Sequence, residues 1–277
     1  MRALARRVRG GVPAFAGAFL EHDLLTYASA ISFQIFSAIV PFIAFAFALM
    51  GFLSLEEIWS KDLAPELQPQ VSKAAFAVLD DAALTVLRSK QIFWLTAGLL
   101  IAIWQISGGV RAVMGALNKL YRVDQQRSWS QRMGISFLLS VAIGILFLLA
   151  GAVVMLGPLL YGDYGALADV ALFLLRWGIT AGLFLVCVAL LLRFAPEQHQ
   201  PIGWVSFGSV LIIGAWVLAS LGFGVYLTVV ADYGSVFGAF ATVVILIGYI
   251  YLSVLVFLAG VQVDALVREE LADQAGS

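Results

Sequence analysis

Charge is scarce in this sequence. Of its 277 residues, 16 are Lys or Arg and 17 are Asp or Glu, 12% in all, against about 25% in an ordinary soluble domain. The net charge of −1 leaves no continuous basic surface, which excludes the electrostatic footprint of a nucleic-acid binder. Cysteine is nearly absent too. The single Cys187 sits in an apolar run, and His22 and His199 have no other Cys or His near them in sequence. A disulfide framework and a zinc motif are therefore excluded. Also missing are the P-loop, His-Glu-x-x-His and Gly-x-Ser-x-Gly patterns, and any run of clustered carboxylates fit to hold two metal ions. The sequence offers no enzyme chemistry, no catalytic residue, no cofactor or metal site and no nucleic-acid partner. A nuclease is especially hard to assemble from it.

What is abundant is apolar: 62% of residues. A membrane helix needs about 20 mostly apolar residues to cross roughly 30 Å of hydrocarbon. Six stretches qualify, Leu25–Leu53, Gln91–Met114, Gly134–Tyr161, Val170–Phe194, Ile202–Val230 and Val236–Leu266. The fold class this predicts is all-α, a single polytopic membrane domain over residues 1–277 with six transmembrane helices plus amphipathic outer and interfacial helices. Its first partner is the lipid bilayer.

Short flanks set the orientation, because Lys and Arg are retained on the cytoplasmic side. Arg2, Arg6, Arg7 and Arg9 precede the first span, and Lys119, Arg122, Arg127 and Arg132 fill the connection between spans two and three. Arg193 and Arg268 follow spans four and six, whereas the two short opposite turns hold only Asp163, Asp169 and Asp232. Both termini are expected in the cytoplasm. The basic start followed by Ala28-Ser29-Ala30 mimics a signal peptide, but Glu21, His22 and Asp23 interrupt the apolar core that one needs. Val12–Leu25 reads instead as an interfacial helix.

The long connection, 54–90, has structure of its own. Ser54-Leu55-Glu56-Glu57 fits a capping box, Pro65 and Pro69 punctuate it, and a second helix begins near Gln70. Val71, Ala75, Val78, Leu79, Ala82 and Val86 recur there at three- and four-residue steps, with Lys73, Asp80, Asp81 and Arg88 at polar positions. This predicts an amphipathic helix against the outer ends of the bundle or on the membrane surface, a structural cover first and a moving lid as the functional alternative. The second span runs on without a breaker to about Arg122, placing Gly108, Arg111, Gly115, Asn118 and Arg122 on one face. Such a stripe faces protein or water rather than lipid. Gly178 with Gly182, and Gly234 with Gly238, are spaced for close helix packing.

Ionisable groups inside a membrane are functional candidates because their placement is costly. Arg111, Arg176 and Asp264 qualify, and topology allows an Arg111–Asp264 pair, although each can also reach the aqueous boundary alone. Gln34, Gln105, Ser107, Tyr249, Tyr251 and Gln262 either line a cavity or make interhelical hydrogen bonds. Pro41 removes a backbone donor in mid-span and is expected to bend the first helix. The site expected from these groups is a cavity between spans one, two and six, involving Gln34, Pro41, Gln105, Ser107, Arg111, Asn118 and Asp264.

Three segments together resemble the YihY/BrkB family of bacterial inner-membrane proteins. They are Leu25-Thr26-Tyr27-Ala28-Ser29-Ala30-Ile31-Ser32-Phe33 with Ser37 and Pro41; Ser107-Gly108-Gly109-Val110-Arg111 with Asn118, Tyr121, Arg127, Trp129 and Arg132; and Tyr233-Gly234-Ser235 with Tyr251-Leu252-Ser253 and Gly260. The chain departs from the family pattern at Tyr249, where Trp is frequent, and near Gln262 and Asp264. The resemblance implies a six-span protein of the cytoplasmic membrane without a settled biochemical activity. Some members have carried a ribonuclease label, to which the residue inventory lends no support, and one is linked to resistance to serum killing. The function expected is that of a transporter or permease for an unnamed small molecule, with a non-transporting scaffold or envelope-integrity factor as the alternative.

Overall fold

A computed structural model describes residues 17, 23–70, 73–89, 91–123, 127–156, 166–197, 202–230 and 238–275. Among them are helices and no strand. Seven long helices order the chain: α1 (Leu24–Phe52), α2 (Lys73–Ser89), α3 (Ile92–Leu120), α4 (Trp129–Leu156), α5 (Ala166–Phe194), α6 (Ile202–Val230) and α7 (Gly238–Ala275). All but α2 are long and apolar enough to cross a membrane, which matches the six spans read from the sequence. Their outward surfaces are apolar over much of their height, with Phe33, Val40, Leu100, Leu138, Leu174 and Leu218 all exposed. That pattern suits a bilayer as solvent, since the backbone groups behind these side chains are bonded within each helix. The expected interfacial helix at Val12–Leu25, His22, His199 and the Tyr233-Gly234-Ser235 motif lie wholly or mostly outside the described residues.

The closest packing joins α1 and α3, which run antiparallel. Three glycines of α3 make this approach possible. A Cβ on Gly98 would sit 3.0 Å from the Phe45 backbone nitrogen, one on Gly108 2.7 Å from Gln34 Oε1, and one on Gly115 3.0 Å from Tyr27 Cε1. Going down α1 from Phe45 to Gln34 to Tyr27, the partner steps up α3 from Gly98 to Gly108 to Gly115, so these small residues fix the register of the seam. Gly260 plays the same part between α7 and α6, against Ile212. Gly178 and Gly182, expected to serve as packing glycines, do not: nothing lies within 4 Å of a Cβ at either. Their neighbours Phe173, Leu174, Trp177 and Ile179 are exposed, so that face of α5 points outward.

Helix ends follow from local chemistry. Both α1 and α3 close with a Schellman motif. The Leu55 amide donates to the Met50 carbonyl at 2.9 Å and the Val123 amide to the Asn118 carbonyl at 2.9 Å, with Ser54 (φ 57°) and Arg122 (φ 51°) in the left-handed position usually held by glycine. At α4 the Ser128 amide donates to Gln131 Oε1 (3.1 Å) and the Gln131 amide to Ser128 Oγ (3.4 Å), a reciprocal capping box. It starts α4 at Trp129, five residues before the predicted span. The box predicted at Ser54–Glu57 is not formed: Leu55 is the N-cap residue there, and Glu57 pairs with Lys61 at 2.6 Å. Around Pro41, α1 continues as helix.

The connection from α1 to α2 is a set of short helical turns, Glu56–Ile58, Trp59–Leu63, Ala64–Leu67 and Gln68–Gln70. With α2 it forms an outer cap over the far ends of α1 and α3. Its core holds Trp59, Leu63, Ala83, Val86 and Leu87 against Phe47 and Ala48 of α1. The Trp59 ring meets Phe47 edge-on at 4.9 Å, and its Nε1 donates to Asp80 Oδ1 at 2.9 Å. A Cβ on Gly51 would lie 2.5 Å from the Leu87 carbonyl oxygen, so α2 rests directly on the α1 backbone. The apolar face of α2 is rotated from the predicted one. Phe76, Leu79, Ala83, Val86 and Leu87 pack inward, while Val78 and Ala82 are exposed. The bond to Trp59 explains the turn, because it draws Asp80 toward the cap's interior.

Candidate functional site

The main hydrophobic core gathers Leu24, Ala28 and Ile31 of α1, Val113 and Leu117 of α3, Leu192 of α5 and Val254, Leu258 and Val261 of α7. It lies toward the end where α1 begins and α3 and α5 finish. Two polar assemblies surround it, one built on Arg127 of the connection between α3 and α4 and the other on Arg111 of α3 and Arg132 of the first turn of α4.

In the first, Arg127 is nearly buried and wraps the end of α5. Its guanidinium donates to the carbonyls of Phe194 (3.3 Å), Ala195 (3.1 Å) and Pro196 (2.7 Å), and it pairs with Glu197 at 3.4 Å. The Arg127 amide donates to Glu197 Oε1 at 3.1 Å. The Glu197 amide in turn donates to Asn118 Oδ1 at 2.9 Å. The last turn of a helix leaves carbonyls without intrahelical donors. One planar cation answers several of them here, while Glu197 neutralises its charge. Asn118 thus belongs to a knot that ties α3 and its following connection to the end of α5.

The second assembly is an open cleft of about 430 Å³ lined by Tyr27, Arg111, Ala112, Gly115, Trp129 and Arg132. It lies between α1, α3 and α4. Arg111 donates to Ser107 Oγ at 2.6 Å, to Met133 Sδ at 3.2 Å and to Ser136 Oγ at 3.4 Å, and its guanidinium lies 5.9 Å from the centre of the Trp104 ring. The buried Ser107 and Ser136 hydroxyls are 2.9 Å apart. Arg132 donates to the Arg111 carbonyl at 3.0 Å, and its Nε is buried with no hydrogen-bond partner. Among the described residues no carboxylate lies within ion-pair distance of either arginine. The two guanidiniums share the lining of one cleft. One turn nearer the helix ends, Asp23 is already engaged by Lys119 at 2.6 Å.

The residues expected to share one cavity are distributed. Ser107 and Arg111 are together. Gln34 is half-buried beside Gly108, one turn deeper than Arg111, and Gln105 is half-buried on α3. Asn118 faces Glu197. Asp264 is buried on α7 and accepts from the Tyr121 hydroxyl at 3.3 Å. The Arg111–Asp264 pair does not form, since Arg111 turns to the serines of α3 and α4 instead. Pro41 lies half-buried farther along α1, and Arg176 lies 5.7 Å from the Trp177 ring centre on the outer half of α5. Tyr249 makes an interhelical bond to Ser220 (2.8 Å), and Trp216 reaches Ser253 (3.0 Å). The cleft therefore adjoins spans one, two and three, where one, two and six were expected. Sequence reasoning read Tyr27, Trp129 and Arg132 as family motif or orientation signal and missed their convergence. The signal available was the four-residue repeat of Ser107, Arg111 and Gly115 facing Arg132 and Ser136 across a short connection. Among the described residues no three His, Cys, Asp or Glu side chains converge as a metal site.

This architecture is that of a helical multi-pass membrane protein. The family model described as Virulence factor BrkB matches residues 15–276, and the chain belongs to that family. It is 23% identical over 261 residues to the ribonuclease-like protein YfkH of Bacillus subtilis, covering 91% of this chain and 94% of that one. It is 25% identical over 276 residues to a UPF0761 membrane protein of Aeromonas salmonicida, covering 92% and 88%. A third relative, a UPF0761 membrane protein of Methylibium petroleiphilum, is 26% identical over 269 residues, 89% of this chain and 59% of that longer one. No solved structure matches.

Proposed function

We propose that this protein is a transporter of the bacterial inner membrane whose entrance is the cleft between α1, α3 and α4, with both termini in the cytoplasm. The observation that carries this reading is an open, polar cleft of about 430 Å³ at one end of an otherwise apolar bundle. Two neighbouring guanidiniums with no carboxylate partner among the described residues are costly for a purely structural role, although they bond between α3 and α4. Basic residues of the connection between α3 and α4 support a cytoplasmic location for this end. Binding rather than catalysis is the chemistry on offer, for the lining contains no carboxylate or histidine to serve as a general base. The ribonuclease wording belongs to a relative's name.

Single cysteines in a protein with Cys187 replaced test the reading. Positions Tyr27 and Ala112 sample the cleft, and Gln34 and Gln105 sample the path beyond it. A membrane-impermeant maleimide applied from the cytoplasmic side is expected to label the first pair and, during substrate turnover, the second. Protection of Gln34 and Gln105 in every condition rejects transport. A second reading, a non-transporting envelope-integrity factor, draws on the outer cap, whose own packed core equips it to present a fixed surface. Co-purification of a partner that is lost on altering the exposed side of α2, at Val78, supports it.

A further inference from the structure

Every side chain with a polar atom that lines the cleft can donate a hydrogen bond: the Tyr27 hydroxyl, the Trp129 indole and the guanidiniums of Arg111 and Arg132. None is acidic. Among the described residues, Tyr27 and Trp129 make no side-chain hydrogen bond, and Arg132 Nε is buried and unanswered. Of these only Arg132 Nε is buried, and a buried donor without an acceptor is costly; the others face an open cleft. The lining is therefore cationic and rich in donors, complementary to a group rich in oxygen and negatively charged. Planar guanidiniums match the geometry of tetrahedral oxyanions better than that of a monatomic anion, because each can present two parallel N–H groups. Trp129 is 75% exposed at the start of α4, where an indole suits the boundary between lipid and water.

We propose that the cleft is a binding site for a phosphate-type oxyanion, held between Arg111 and Arg132 with Tyr27 and Trp129 as further donors. The inference rests on the reading of the cleft as an entrance, and it supplies the class of group that the entrance recognises. Ser107 and Ser136 hold Arg111 from behind, and the Arg111 carbonyl holds Arg132, so the two cations are positioned before any ligand arrives. The same chemistry is presented by a free phosphate compound and by the headgroup of an anionic phospholipid in the cytoplasmic leaflet.

The full-length protein in a neutral detergent, titrated at constant ionic strength with inorganic phosphate, with short-chain phosphatidylglycerol or with short-chain phosphatidylcholine, tests the proposal by its thermal unfolding midpoint. Phosphate or phosphatidylglycerol is expected to raise the midpoint, and an equal concentration of chloride is not. A response to phosphate itself identifies a free anion as the ligand, and a response to phosphatidylglycerol alone identifies a headgroup. Arg111→Gln and Arg132→Gln should each weaken the response about tenfold, the loss expected from one charge-assisted bond, while Lys61→Gln in the outer cap leaves it intact. Ala112→Glu, which brings an internal carboxylate to the arginines, should abolish the response and serves where Arg111→Gln does not fold. The proposal is overturned if neither ligand outdoes chloride and phosphatidylcholine, or if Arg132→Gln and Ala112→Glu respond as the parent protein does. Anion binding with Gln34 and Gln105 always protected keeps this site and rejects transport. Labelling at those positions without an anion response does the reverse.

Discussion

Arg127 and Arg132 lie five residues apart around the same inner turn, and their surroundings are opposite. Arg127 meets one carboxylate and the carbonyls at the end of α5. Arg132 meets one carbonyl, has a buried Nε without an acceptor and shares its cleft with a second cation. The first arginine completes the protein's own hydrogen bonding, and removing it leaves a deficit. The second leaves bonding unfinished, so its removal is expected to take little from the folded state and, on the proposed reading of the cleft, much from recognition. A basic residue near a membrane boundary thus has at least two meanings beyond topology, and its acceptors distinguish them.

The contrast is most directly broken at Arg127. Arg127→Ala strands Glu197 and the carbonyls at the end of α5, and is expected to lower stability by about 3 kcal/mol, the scale for breaking a largely buried pair. Unfolding in detergent, followed by thermal or denaturant melting, measures it. Arg127→Lys should recover less than half, because an ammonium lacks the fork that spans several carbonyls. Next in size is Gly51→Ala, which drives a methyl group into the Leu87 carbonyl and should cost about 2 kcal/mol as the cap shifts outward. Faster proteolysis of the 54–90 connection would show that shift. Trp59→Phe keeps the ring against Phe47 and loses the bond to Asp80, for about 1 kcal/mol in the same melting experiment. Smallest is Arg132→Gln, expected to change stability by no more than about 0.5 kcal/mol. A large loss there would erase the distinction between the two arginines.

The sequence was most legible where composition alone decides. Six apolar runs became six helices because hydrocarbon leaves the backbone few alternatives. The first and fifth spans were placed to within a residue at each end, and the fourth to within four. The start of α4 was misplaced because Ser128-Trp129-Ser130-Gln131 was not read as a capping box, although the pattern is as visible there as at Ser54. The helix of the cap was expected, but its face was not, since the position of Asp80 depends on Trp59, 21 residues away. Glycine spacing misled for a related reason: Gly178 and Gly182 have the same spacing that packing requires but point outward, and only the third dimension separates them from Gly108 and Gly115. The candidate site was half visible. Ser107 and Arg111 repeat along one helix face, whereas Arg132 and Tyr27 join them through packing between helices, which has no one-dimensional period.

The seam between α1 and α3 joins the two spans that come first in chain order among those described. The glycines and bulky partners that set its register all lie between Tyr27 and Gly115, so this alignment requires nothing synthesised later. The cap is made between the two, and its core closes against α1. A paired hairpin with its cap is thus specified by residues that precede α4 to α7 in the chain. Those helices arrive at a template already in register, which gives assembly in the bilayer a direction from the first hairpin outward.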